Sequence, residues 1–230
     1  MVHFTLFGIP VYIRPSFWVV LAIFGGALSI SSVEYLIYPA LFVIAGFVAI
    51  LSHEMGHALV GRKLGGGQQT IVLELFGGLT SSHGMQLTRG GRALMILAGP
   101  MMTLLLGIIS LGLTWNIVAP VMTSYNLNFW DLAISPFTAA LISPKLYILS
   151  CLIMIGEWWT ILNLLPIYPL DGGQLIAQYI RSPRKVFMTG FITAILIGLL
   201  SFQLFHGYFI PIFMALFAYS NYREYKNAPF

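Results

Sequence analysis

The 230-residue chain is 58% apolar and 8% charged, against roughly 25% charged in a typical soluble domain, so it lacks the polar surface to stand in water. Its formal charge of +4 is no sign of a nucleic-acid partner, because the basic residues sit in short stretches between apolar runs. The single Cys151 excludes an internal disulfide and a cysteine-rich metal site.

The pattern predicts an all-α polytopic membrane protein read as one membrane-embedded domain over residues 1–230, with about six transmembrane helices. The first apolar run, 17–30, follows Arg14 and resembles the core of a signal peptide. A second spanning run succeeds it at once, which favours a membrane span instead.

The second run, 36–59, carries His53-Glu54-Met55-Gly56-His57. H-E-x-x-H on a helix sets two imidazoles one turn apart on one face, where both reach a single Zn²⁺, and puts a carboxylate beside them to activate water. His53 and His57 are therefore expected to be ligands and Glu54 the general base. The bland alternative is a pair of packed, hydrogen-bonded histidines, which the intervening glutamate at this spacing disfavours.

After this span, Thr70-Ile-Val-Leu-Glu-Leu ends in Phe76 and Gly77-Gly78, a β-branched, apolar run closed by glycines. It predicts a short re-entrant β-hairpin. A peptide bond inside a helix is shielded, so a membrane client must unwind before it is cut, and its released N–H and C=O groups then need partners. A strand edge supplies them, which makes Val72, Leu73, Gly77 and Gly78 candidate substrate contacts. Structural packing beneath the helices is the other reading of this segment.

The third and fourth spans are read at 93–120 and 146–165, followed by runs at 186–205 and 208–221. Past the fourth span the chain reads Asn163-Leu-Leu-Pro166-Ile-Tyr-Pro169-Leu-Asp171-Gly-Gly173. The two prolines forbid regular helix, so an irregular turn is expected to bend Asp171 inward, with Gly172-Gly173 leaving room behind it. Alone, such an aspartate would more often be a helix cap or turn residue. Glu157, in the fourth span, is expected to be protonated, internally bonded or facing a wet cavity. His3, His83 and His206 have no partner at ligand spacing.

With a cytoplasmic N-terminus and six spans, ten of the eleven Lys and Arg residues fall inside and only Lys145 outside, a strong positive-inside bias. Both termini and the opening of the site are then cytoplasmic. The fourth span runs in the same direction as the second, which brings Asp171 to the face carrying His53 and His57.

The H-E-x-x-H pair combined with Asn163-x-x-Pro166 and Leu170-Asp171-Gly172 resembles the site-2 protease family of intramembrane zinc metalloproteases. The resemblance covers roughly residues 40–180. It implies one Zn²⁺ held by His53, His57 and Asp171, with Glu54 as general acid and base. It also implies cleavage of a transmembrane protein substrate, and contact of Asn163 with that substrate or its developing oxyanion. Where many relatives read Gly-Pro-x-x-Asn, this chain has Gly99-Pro100-Met-Met-Thr103, so Thr103 is the corresponding candidate contact. No soluble stretch matches the PDZ or CBS modules of many relatives, which points to a minimal core of archaeal or bacterial type. No nucleotide or nucleic acid is implied, and the oligomeric state is left open.

Two rivals follow from the same residues. A membrane zinc transporter would need polar residues along a path on both sides of the site, and the outer halves of the second and third spans have almost none. A silent relative that only retains clients would not need Glu54.

Overall fold

The protein is described by a computed structural model over residues 1–75, 77–84, 86–125, 128–133 and 135–229. The described residues form two compact units, Met1–Thr160 and Ile161–Phe230.

The first unit begins with a hairpin that the hydropathy pattern did not reveal. Strands β1 (Val2–Leu6) and β2 (Ile9–Ile13) are antiparallel, joined through Phe7 and Gly8. Both turn residues have positive φ, 50° and 75°, matching the twist of a tight hairpin. Strands β3 (Gln68–Glu74) and β4 (Gly77–His83) form the hairpin expected after the second span. β2 pairs parallel with β3, so the four strands make one sheet in chain order. Alternate residues Ile9, Val11, Ile13, Ile71 and Leu73 are buried against Phe17 and Leu21 of the next helix and Ile50, Met55 and Ala58 of the one after. Period-two burial of this kind gives the sheet one apolar face.

Helix α1 (Pro15–Phe24) starts at a proline in its first turn and stops at Gly25-Gly26, where Gly26 is left-handed at φ 84°. Its 10 residues span about 15 Å, half of a hydrocarbon layer about 30 Å thick. Two 3₁₀ turns, Ala27–Ser29 and Val33–Leu36, follow it where the 17–30 run was expected to continue as a span. Helix α2 (Ile37–Gly65) is long, carries Arg62 and Lys63 in its last turn, and closes at Gly66. Helix α3 (Arg89–Tyr125) packs along it. Short helices α4 (Phe129–Ala133) and α5 (Pro136–Ala140) lead to α6 (Pro144–Asn163).

The second unit holds the end of α6, α7 (Asp171–Ala177), α8 (Pro183–Phe205) and α9 (Phe209–Asn227). α8 and α9 form a helical hairpin cored by Ala194, Met214 and Ala218, which also bury Ile167 from the segment before α7. Small residues let the two helices close: a side chain at Gly198 would meet Met214 Cβ at 3.3 Å. Among the described residues, α2, α3, α6 and α8 are long and apolar enough to cross a membrane. α9 ends in a polar turn, Arg223-Glu224-Tyr225-Lys226, and does not meet that length in apolar residues.

Candidate active site

α2 positions the H-E-x-x-H turn so that His53, Glu54 and His57 are all buried. The imidazole centroids lie 4.8 Å apart with their planes at 82°. His57 Nδ1 lies 2.8 Å from the Met95 carbonyl of α3. A carbonyl only accepts, so Nδ1 carries the proton and Nε2 is the ring's acceptor atom. A side chain built at Gly99 of α3 would sit 2.9 Å from His53 Nε2 and closer still to His57 Nε2. Both Nε2 atoms therefore face the same small space, and Gly99 keeps it open. Gly56 has a parallel duty on α2, since a Cβ there would strike Ala98 of α3 and meet Met102 Cγ at 2.8 Å. Two imidazoles presenting Nε2 to one space suit a borderline divalent cation.

β4 closes over Glu54. Thr80 Oγ1 donates to Glu54 Oε2 at 2.7 Å and lies 3.1 Å from the Glu54 carbonyl. Gly78 packs its backbone on the same carboxylate, where any Cβ would overlap Glu54 Cγ and Cδ. Gly77, at φ 123°, lies against Trp159 of α6 in a backbone conformation that suits only glycine. The Gly-Gly pair thus brings a strand onto the carboxylate as well as making a turn. Thr80 was not singled out from the sequence; a polar residue two positions past Gly-Gly, on the same strand face as Gly78, was the available signal.

Two sequence expectations need correction. Val72 and Leu73 offer no free edge, because β3 is an inner strand: Val72 pairs with Tyr12 and Leu79, and Leu73 with Ile13 and Gly78. The Leu73 side chain is fully buried. The open edge on this side of the sheet belongs to β4. Thr103 is also unsuited to substrate contact. Its hydroxyl lies 2.9 Å from Thr160 Oγ1 and 3.0 Å from the Pro100 carbonyl, buried in a joint between α3 and α6 that Gly156 closes. Glu157, whose surroundings the sequence left open, is exposed on α6 beside a groove lined by Leu104, Gly107, Ile108 and Leu111 of α3.

In the second unit, Asn163 is the buried last residue of α6. Residues 164–170 turn irregularly, held by Ile167 N–H to the Leu165 carbonyl at 2.7 Å and Leu170 N–H to the Ile167 carbonyl at 2.8 Å. Asp171 is buried and opens α7, with Leu170 rather than Asp171 at the cap position. Gly172 and Gly173 are required by packing, since a side chain on either would enter the backbone of residues 164–168. His3 stacks on Tyr12, His83 ends β4 exposed, and His206 caps α8.

A multi-span helical chain with a buried H-E-x-x-H turn under a small sheet defines the class of membrane-embedded H-E-x-x-H proteins. The model of peptidase family M50 matches residues 41–205. A zinc metalloprotease of Methanocaldococcus jannaschii is 29% identical over 94% of this chain and 57% of its own length. A protein of Synechocystis named as a candidate zinc metalloprotease is 28% identical over 76% of this chain and 43% of its own. The chain thus spans about half the length of the curated relatives it matches. The solved site-2 protease of Methanocaldococcus jannaschii has the same fold, with a TM-score of 0.61 at 23% identity over 97% of this chain and 94% of that one. The chain belongs to peptidase family M50.

Proposed function

We propose that the chain is an intramembrane zinc metalloprotease that hydrolyses a peptide bond within or near a transmembrane segment of a membrane-protein substrate. The observation that carries this reading is the convergence of His53 and His57 Nε2 on the space kept by Gly99, with the Glu54 carboxylate held beside it by Thr80. Asp171 is proposed as the third ligand, since a catalytic zinc site takes three protein ligands and Asp171, like His53 and His57, is buried. Zinc bound there supplies Lewis acidity toward a water and toward the scissile carbonyl. Glu54 accepts the proton of the attacking water and returns it to the leaving amine. Asn163 is assigned to the substrate or its developing oxyanion.

The exposed edge of β4, in place of Val72 and Leu73, is proposed to receive the unwound client backbone, with Gly77 and Gly78 at its start. Residues 1–230 act as one membrane-embedded protease domain of a prokaryotic cell membrane. The hairpin β3–β4 is re-entrant, both termini are cytoplasmic, and the site opens to that side, as the distribution of Lys and Arg supports. Cleavage of a reconstituted single-span substrate, abolished by chelation and restored by Zn²⁺, tests the reading. Zinc-independent cleavage, or stoichiometric zinc without cleavage of any single-span client, would overturn it.

A further inference from the structure

We infer that Asn221, on α9, is a positioning residue that holds the Asp171 loop in its irregular shape; the inference rests on the reading of Asp171 as a metal ligand. Asn221 is 1% exposed. Its Nδ2 donates to the Tyr168 carbonyl at 2.6 Å and to the Phe217 carbonyl at 2.9 Å. Two carbonyl partners fix which end of the amide is nitrogen. The other end, Oδ1, faces Gly190 of α8 and has no hydrogen-bond donor among the described residues.

This one-sided pattern separates the inference from ordinary helix–helix adhesion. Were Asn221 only joining α8 to α9, its amide would bond across that pair, yet α8 presents it a glycine. Among the described residues, its bond beyond α9 goes to Tyr168, three residues before Asp171. Pro166 and Pro169 have no N–H to donate to the loop's own bonds. Leu170 N–H bonds back to Ile167, and the Gln174 side chain holds the Pro169 carbonyl at 2.9 Å. A side chain at Gly190 would meet Ile167 Cα at 3.3 Å and overlap the Asn221 amide, so glycine there lets α8 close on loop and asparagine together. Residues behind a metal ligand that fix its orientation are typically worth about 10- to 100-fold in metal affinity or activity.

The test compares purified Asn221→Leu, Asn221→Asp, Asp171→Ala and Gly198→Val with the parent protein. Gly198→Val crowds the same helix pair about 12 Å along α8 from Gly190 and leaves the loop alone. Zinc affinity is measured by chelator competition, and ligand geometry by the visible absorption of the Co²⁺-loaded protein. Both Asn221 variants should lose at least about tenfold in zinc affinity and shift the Co²⁺ bands at parental helical content. Gly198→Val should lower thermal stability and leave both metal readouts near parental values. If Asp171→Ala loses zinc while Asn221→Leu and Asn221→Asp bind it as the parent does, the positioning role is wrong and the ligand reading survives. Parental affinity in Asp171→Ala overturns both. Metal readouts in Gly198→Val that match Asn221→Leu would assign the effect to helix packing and overturn the positioning role.

Discussion

Thr80 and Glu54, 26 residues apart, are joined by a hydroxyl that donates to the carboxylate at 2.7 Å while lying 3.1 Å from the same residue's carbonyl. The bond ties the sheet to the helix that carries the chemistry. The edge strand proposed to receive the client thereby also sets the direction of the proposed base. Thr80→Val keeps the β-branched shape and removes the donor. A hydrogen bond to a charged group contributes about 1.5–3 kcal/mol, so kcat should fall by about 10- to 100-fold at unchanged zinc content. Cleavage rates with metal analysis on the same sample decide it, and a parental kcat would show that Glu54 needs no such support.

Glu54 and the ligands should separate by readout. Glu54→Gln should retain zinc and lose about 10²–10⁴-fold in cleavage, because the amide cannot accept the water's proton. His53→Ala should lower zinc affinity itself. Zinc loss in Glu54→Gln alongside parental zinc in His53→Ala would reverse the assignments.

The glycines that make room should fail in different ways. Gly99→Ala puts a methyl between the two imidazoles and should lower zinc affinity, whereas Gly78→Ala presses on Glu54 and should lower kcat with zinc retained. Equal zinc content in both variants would mean that the helices simply move apart.

Orientation is tested by labelling. In a Cys151→Ser background, single cysteines at Arg62 and Arg181 should resist impermeant thiol reagents added outside intact cells, and one at Lys145 should react. External labelling at position 62 would invert the proposed topology and the side from which water enters.

Strand addition makes a position-specific forecast. Proline at exposed Leu79, or at Ser82 in the opposite backbone phase, removes a β4 N–H. Alternate N–H groups face outward, so one of the two substitutions should impair cleavage more than the other while zinc binding persists. Proline at Val72 or Leu73 should instead unfold the sheet, since both lie in an inner strand. Parental cleavage by both β4 variants would leave the client held by helices.

The sequence by itself determined the membrane class, the H-E-x-x-H turn, the hairpin at Gly77-Gly78 and the need for glycine behind Asp171. Each is a local matter: hydropathy is a sum over neighbours, i and i+4 share a helix face, and proline and glycine act on their own backbone. The N-terminal hairpin leaves little trace in the sequence, because five-residue strands give a weak pattern beside a long apolar run. The tertiary structure alone decided that β3 is an inner strand, because the parallel partner β2 lies more than fifty residues away in the chain. It also decided that the Thr103 hydroxyl is consumed between helices, that Thr80 faces Glu54 and that Asn221 reaches Tyr168. A hydrogen bond between residues distant in sequence leaves no period or spacing to read, since its geometry exists only once the helices and strands have packed.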